Sequence, residues 1–121
     1  MKSYIIPVTT TGAAGSATGT ASAAVQAGLL IALEVVYASA PATADVTITE
    51  VVAGVTRTLL TKSNNATSFT WRPLVLGQDN TGANVAAWYI PDVVFGGFLT
   101  VTVAQSDAVT NNVTVIAIVG D

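Results

Sequence analysis

Phe98-Leu99-Thr100-Val101-Thr102-Val103-Ala104-Gln105 alternates apolar side chains with hydroxyl-bearing ones at a period of two. Successive residues of a strand point to opposite faces, so Leu99, Val101 and Val103 are expected on a buried face and Thr100 and Thr102 on a wet one. The pattern recurs at Val46-Thr47-Ile48-Thr49 and at Val113-Thr114-Val115. Working outward from these, strands are expected at 3–9, 17–25, 29–39, 45–52, 55–62, 68–74, 84–90, 98–105 and 111–119. The breaks between them carry turn residues: Gly12 to Gly15, Pro41, Ala53-Gly54, Asn64-Asn65, Asp79-Asn80-Thr81-Gly82, Pro91-Asp92 and Gly96-Gly97. Short breaks favour antiparallel neighbours, and Ala53-Gly54 suits a tight hairpin with Gly54 at positive φ. The expectation is an all-β chain, a single antiparallel β-sandwich or jelly roll of about eight or nine short strands over residues 1–121, with a closed barrel as the alternative.

Composition agrees. Ala, Val, Ile and Thr contribute 20, 18, 7 and 18 residues, and only 9% of the chain is charged, where about 25% is usual. Solubility therefore rests on hydroxyls and amides. Two segments depart from alternation: 29–37 mixes its polarity, and 113–119 has few polar interruptions, so both are expected to be buried on two faces or covered by a partner subunit. The Ala/Gly/Ser/Thr-rich segment 9–24 suits either a flexible linker or an edge strand paired back on 29–37, and the alternation of Thr18, Thr20 and Ser22 with small residues favours the strand. Pro7 and Thr9-Thr10-Thr11 interrupt any apolar run at the N-terminus, so no cleaved signal peptide is expected.

With no His, no Cys and four Lys and Arg, the chain lacks an imidazole, a thiolate and a basic field for phosphates. The carboxylates Glu34, Asp45, Glu50, Asp79, Asp92, Asp107 and Asp121 fall mostly at turns, where Asp caps backbone amides. Asp79-Asn80-Thr81-Gly82 lacks the further acidic ligands of a calcium loop and reads as a turn. The expectation is a protein that is not an enzyme and has no cofactor, no metal site, no nucleic-acid partner and no membrane partner. Asn65-Ala66-Thr67 and Asn112-Val113-Thr114 match a glycosylation pattern by coincidence in a chain rich in Asn and Thr.

The informative side chains are aromatic. Trp71 shares a face with Phe69 and is expected in the core, with Arg72 opposite. Trp88 and Tyr89 are sequential, so one of the two is expected to face outward and anchor an interface. Tyr4, Ile5 and Ile6 form an apolar patch near the N-terminus, which makes residues 1–11 a candidate interaction arm or an edge strand of the chain's own sheet. Glu34, alone in an apolar strand, must reach water or a cation such as Arg57 or Arg72.

The order of segments 28–37, 42–48, 58–61, Phe69-Thr70-Trp71-Arg72-Pro73, Asp79-Asn80-Thr81-Gly82, 97–105 and 113–119 resembles the small β-sandwich proteins of tailed bacteriophages that decorate or cement the outside of the capsid. That resemblance implies a virion protein without catalysis, located on the outer capsid surface. It implies a homotrimer whose partner is the major capsid protein. It transfers no contact residue. From a different class, Trp88, Tyr89 and Arg72 would suit a carbohydrate- or receptor-binding module of a phage fibre or bacterial surface protein. Another head or tail subunit of a virion is a third possibility.

Overall fold

The computed structural model describes residues 1–120; Asp121, counted among the carboxylates above, lies outside the described residues. Every regular element described is a strand: β1 (Lys2–Val8), β2 (Ala17–Ala24), β3 (Gly28–Tyr37), β4 (Asp45–Val52), β5 (Val55–Lys62), β6 (Phe69–Trp71), β7 (Leu74–Gln78), β8 (Asn84–Pro91), β9 (Val93–Val94), β10 (Phe98–Ser106) and β11 (Val113–Gly120). One sheet runs β1-β11-β3-β6, with β9 also on β3; a second runs β2-β10-β4-β5; β7 and β8 form a separate ribbon. All pairings are antiparallel.

Few strands that follow each other in sequence pair with each other. Only β4–β5 and β7–β8 are hairpins, and the short connections β1–β2, β2–β3, β3–β4 and β10–β11 each carry the chain from one sheet to the other. The strand over 17–25 accordingly pairs with β10, not with 29–37. Both flanks of β3 are taken, by β11 on one side and by β6 and β9 on the other, and β2 pairs instead with β10, where Ser22 lies opposite Thr100 with the two hydroxyls 2.8 Å apart and Thr20 lies opposite Thr102.

Alternation places one aliphatic core between the sheets. Val46 and Ile48 of β4 and Leu99, Val101 and Val103 of β10 meet Ile6 and Val8 of β1, Leu33 and Val35 of β3, and Val113, Val115 and Val119 of β11. Each fully buried Val, Leu or Ile contributes about 1.5–3 kcal/mol before its ordering cost. Aromatic rings stay at the rim: Tyr4, Tyr37, Phe69 and Trp71 are half-buried against the core. On the outer face of the second sheet, register aligns two hydroxyl rows across all four strands, Ser22–Thr100–Thr49–Thr58 and Thr20–Thr102–Thr47–Thr61.

The irregular reading of 29–37 has a local cause. Ile118 pairs with Ala32 but Val119 with Leu30, which leaves Ile31 as the extra residue of a bulge. The bulge shifts the phase, so Leu30 is buried on one side of it and Leu33 and Val35 on the other, while Leu29, Ile31, Glu34 and Val36 face outward. The strand is thus one-faced with a slip, and not buried on both faces. At the Ala53-Gly54 turn both residues take positive φ, 50° and 78°, as a type I′ hairpin requires.

Near the C-terminal end of β10 a polar knot is closed off from water. Asn112 donates to the Ser106 hydroxyl at 2.8 Å and the Thr10 hydroxyl at 3.2 Å, and its carbonyl accepts from the Ser39 amide at 3.1 Å. Asn112, Ser106 and Thr10 are all buried; Ser106 relies on Asn112 for its hydrogen bond, while the Thr10 hydroxyl also donates to the Asp107 carbonyl and accepts from the Val109 amide. Asn112→Ala is expected to destabilise the fold by about 1–3 kcal/mol, because it strands the buried Ser106 hydroxyl and the Ser39 amide; urea unfolding followed by circular dichroism measures it.

Candidate functional site

β7 and β8 leave the main sheets as a two-stranded ribbon. Leu74, Val75 and Leu76 pair with Pro91, Ile90 and Tyr89, after which the register jumps to Gln78–Asn84. Gly77 alone therefore faces the four residues from Val85 to Trp88, a wide bulge in which Ala87 adopts a positive φ of 59°. The Trp88 ring lies across Gly77, where a Cβ would fall inside the ring. No sheet covers the ribbon, so both faces of β8 are open, and Trp88 and Tyr89 are 51% and 60% exposed. Only one of the pair was expected to face outward; both do. Leu74 is exposed on the ribbon face that carries Tyr89, and the pair Val75–Ile90 is exposed on the opposite face.

The base of the ribbon is held by charge. Glu50, 1% exposed, extends the inward series Val46, Ile48 along β4. One of its carboxylate oxygens accepts from Arg57 Nη2 at 3.1 Å, the other from the Phe95 amide at 2.7 Å. Arg57 Nη1 reaches both Asp92 oxygens, at 2.9 and 3.2 Å, and Nη2 also donates to the Val93 carbonyl. The guanidinium sits 5.0 Å from the centroid of Phe95. Burial by itself would lower the Arg57 pKa, but the hydrogen bonds the guanidinium donates to Asp92 and Glu50, together with their negative charges, outweigh it and raise the value. Asp92, at the end of β8, gives its carbonyl to the Leu30 amide and takes the Pro73 carbonyl with its own amide, fixing both legs of the ribbon. Between ribbon and clamp runs an open groove of about 590 Å³ lined by Arg57, Val75, Leu76, Gln78, Asn84, Ile90 and Asp92.

At the ribbon's tip Asp79 closes its own loop. Its Oδ1 accepts from the Thr81 hydroxyl at 2.6 Å and from the Thr81 and Ala83 amides at 2.8 and 3.1 Å. The carboxylate is occupied by the turn, and these bonds, the Thr81 hydroxyl first, hold its pKa below the ordinary 3.8.

The other sequence candidates are dispersed. Residues 1–11 contain β1, paired along its whole length with β11. Ile6 joins the core, Tyr4 is half-buried with its hydroxyl accepting from the Gln26 amide, and Ile5 stands 65% exposed. Trp71 lies against the core rim, as its alternation with Phe69 implies. Arg72 precedes the first ribbon pair, Leu74–Pro91, whereas Tyr89 sits opposite Leu76, so the cation nearest the groove is Arg57. Glu34 is exposed to water and pairs with neither arginine. Asn112 is fully buried and presents no amide to a glycan. The clamp itself was not foreseen, although Glu50 in phase with Val46 and Ile48 is the signal that marks it. No protein-family model, no curated protein and no solved structure matches the chain.

Two outcomes follow from this geometry. Arg57→Ala leaves the Glu50 carboxylate buried without its cation and is expected to cost about 1–3 kcal/mol, less than a fully buried pair because Arg57 is itself 35% exposed; chemical denaturation measures the loss, and Trp88 fluorescence in a Trp71→Phe background reports loosening of the ribbon. The depressed Asp79 pKa means that the loop's stabilisation is present above pH 3.8 and is lost as pH falls through the lowered value. An NMR titration is expected to place the Asp79 midpoint below 3.8, with the Thr81 and Ala83 amides losing protection in step.

Proposed function

We propose that this chain is a non-enzymatic structural protein that decorates and stabilises the outside of a bacteriophage capsid, and that its fold is a β-sandwich from which the β7–β8 ribbon extends to meet the shell. The observation that carries the reading is the ribbon: two aromatic residues and several aliphatic ones, exposed on a hairpin whose base is held by Arg57 between the buried Glu50 and Asp92. Tyr and Trp anchors of this kind dominate interface energetics. A low-charge surface also makes such a contact tolerant of salt, and many copies multiply a modest affinity over a lattice. The residue inventory, with neither His nor Cys, supports a binding role over a catalytic one.

A second reading, a carbohydrate- or receptor-binding module, is favoured by the groove beside the ribbon, whose volume of about 590 Å³ falls in the range of ligand sites and whose walls include Gln78, Asn84 and Asp92. The two readings separate in one experiment. Purified protein is added to particles from a phage lacking this chain, and Trp88→Ala with Tyr89→Ala is compared with wild type. Shell binding is expected to weaken about 30-fold or more, as loss of hot-spot side chains does, with the circular dichroism spectrum unchanged. Saturable glycan binding lost in the same folded variant, without shell binding, would establish the second reading instead.

A further inference from the structure

The outer faces of the two main sheets differ in chemistry. The second sheet turns its hydroxyl rows outward, whereas the first turns out a row of Ile5, Ile116, Glu34 and Thr70 across β1, β11, β3 and β6. Beside that row stand Ile31, brought out by the bulge, and Val36, both exposed. The chain uses threonine where a strand meets water, so isoleucine and valine across neighbouring strands mark a face that meets something else.

Two charges interrupt this face. Glu34 sits in the middle of the row, and Arg72, next after Trp71, continues the alternation on the side of Thr70. Both are exposed, and neither forms a hydrogen bond or an ion pair among the described residues. The other cations are placed elsewhere: Arg57 is held by Glu50 and Asp92, Lys62 lies over the Phe69 ring, and Lys2 begins β1. One unpaired anion and one unpaired cation on the same apolar face make that face self-complementary, because a two-fold axis brings residue i of one copy to residue j of the other and j to i.

We propose that the outer face of the β1-β11-β3-β6 sheet docks a second copy of this chain under a two-fold axis, with Glu34 of each copy paired to Arg72 of the other. The aliphatic side chains supply the contact area, and the crossed charges set its register and exclude partners that would place like charges together. The contact is independent of the ribbon and of any shell.

Sedimentation equilibrium on the isolated protein tests it. Wild type is expected to reach twice 12.2 kDa at high concentration. Glu34→Arg alone and Arg72→Glu alone place like charges opposite each other and are each expected to weaken association about ten-fold or more, with unchanged circular dichroism. Mixing the two single variants is expected to restore dimers, since one copy then carries both cations and the other both anions. Trp88→Ala is expected to leave association unchanged, which separates this contact from the shell reading. A wild-type mass that stays at 12.2 kDa, a trimer indifferent to both exchanges, or a mixture that remains monomeric would each overturn the proposal.

Discussion

Glu50 is a carboxylate with almost no access to water, and a single guanidinium stands between it and Asp92. A charge in that position is tolerated only when paired and hydrogen-bonded, so the places of Arg57, Asp92 and the Phe95 amide are set together. Three parts of the chain converge there: β4 supplies the acid, the edge strand β5 the base, and the end of β8 the second acid. The backbone of Asp92 then binds Leu30 of β3 and Pro73 ahead of β7. The direction in which the ribbon leaves the main sheets is a consequence of neutralising one buried charge.

The polar knot around Asn112 is the counterpart near the other end of β10, since Leu99 pairs with Glu50 and Ser106 contacts Asn112. Between them the core is aliphatic and has no internal polar group to define its pairing. β-branched side chains fill such a space with little rotamer loss, and alternation forbids a one-residue slip, but a two-residue slip would only exchange one aliphatic side chain for another. The two polar clusters fix what the aliphatic core leaves loose. Each joins segments far apart in sequence, Thr10 with Asn112 and Glu50 with Phe95.

Strand positions were legible because threonine alternates with valine and isoleucine, and period two needs no tertiary information: the expected segments at 45–52 and 55–62 coincide with β4 and β5. Partners were less legible. Nothing local in 17–25 distinguishes a strand that turns back on its successor from one that crosses to the other sheet, because the flanks of β3 are filled by β11, β6 and β9, which lie far along the chain. The short β9 was hidden in the Pro91 to Gly97 connection, and β7 was missed apart from Leu74, which the 68–74 segment took as its own end. Trp88 and Tyr89 stood out by rarity in a chain with 7% aromatic residues, while their joint exposure depends on the absence of a sheet behind the ribbon, which is a tertiary fact. The Tyr4-Ile5-Ile6 patch erred in treating three sequential residues as one surface; alternation through Ile6 and Val8 already assigns Ile6 inward. Glu34 and Glu50 show the same limit in charge: both lie in apolar strands, and only the side to which each points separates a solvated carboxylate from a structural one.

The two hydroxyl rows on the second sheet contain no ionisable side chain. Acid, base and added salt therefore leave the hydration of those rows as it was, and a neighbouring molecule seated on them meets neutral hydroxyls, with the carboxylate of Asp45 beyond them at the start of β4. Molecules of this kind tolerate close lateral crowding, because what keeps them apart is a layer of water bound to alcohols, effective only at molecular contact.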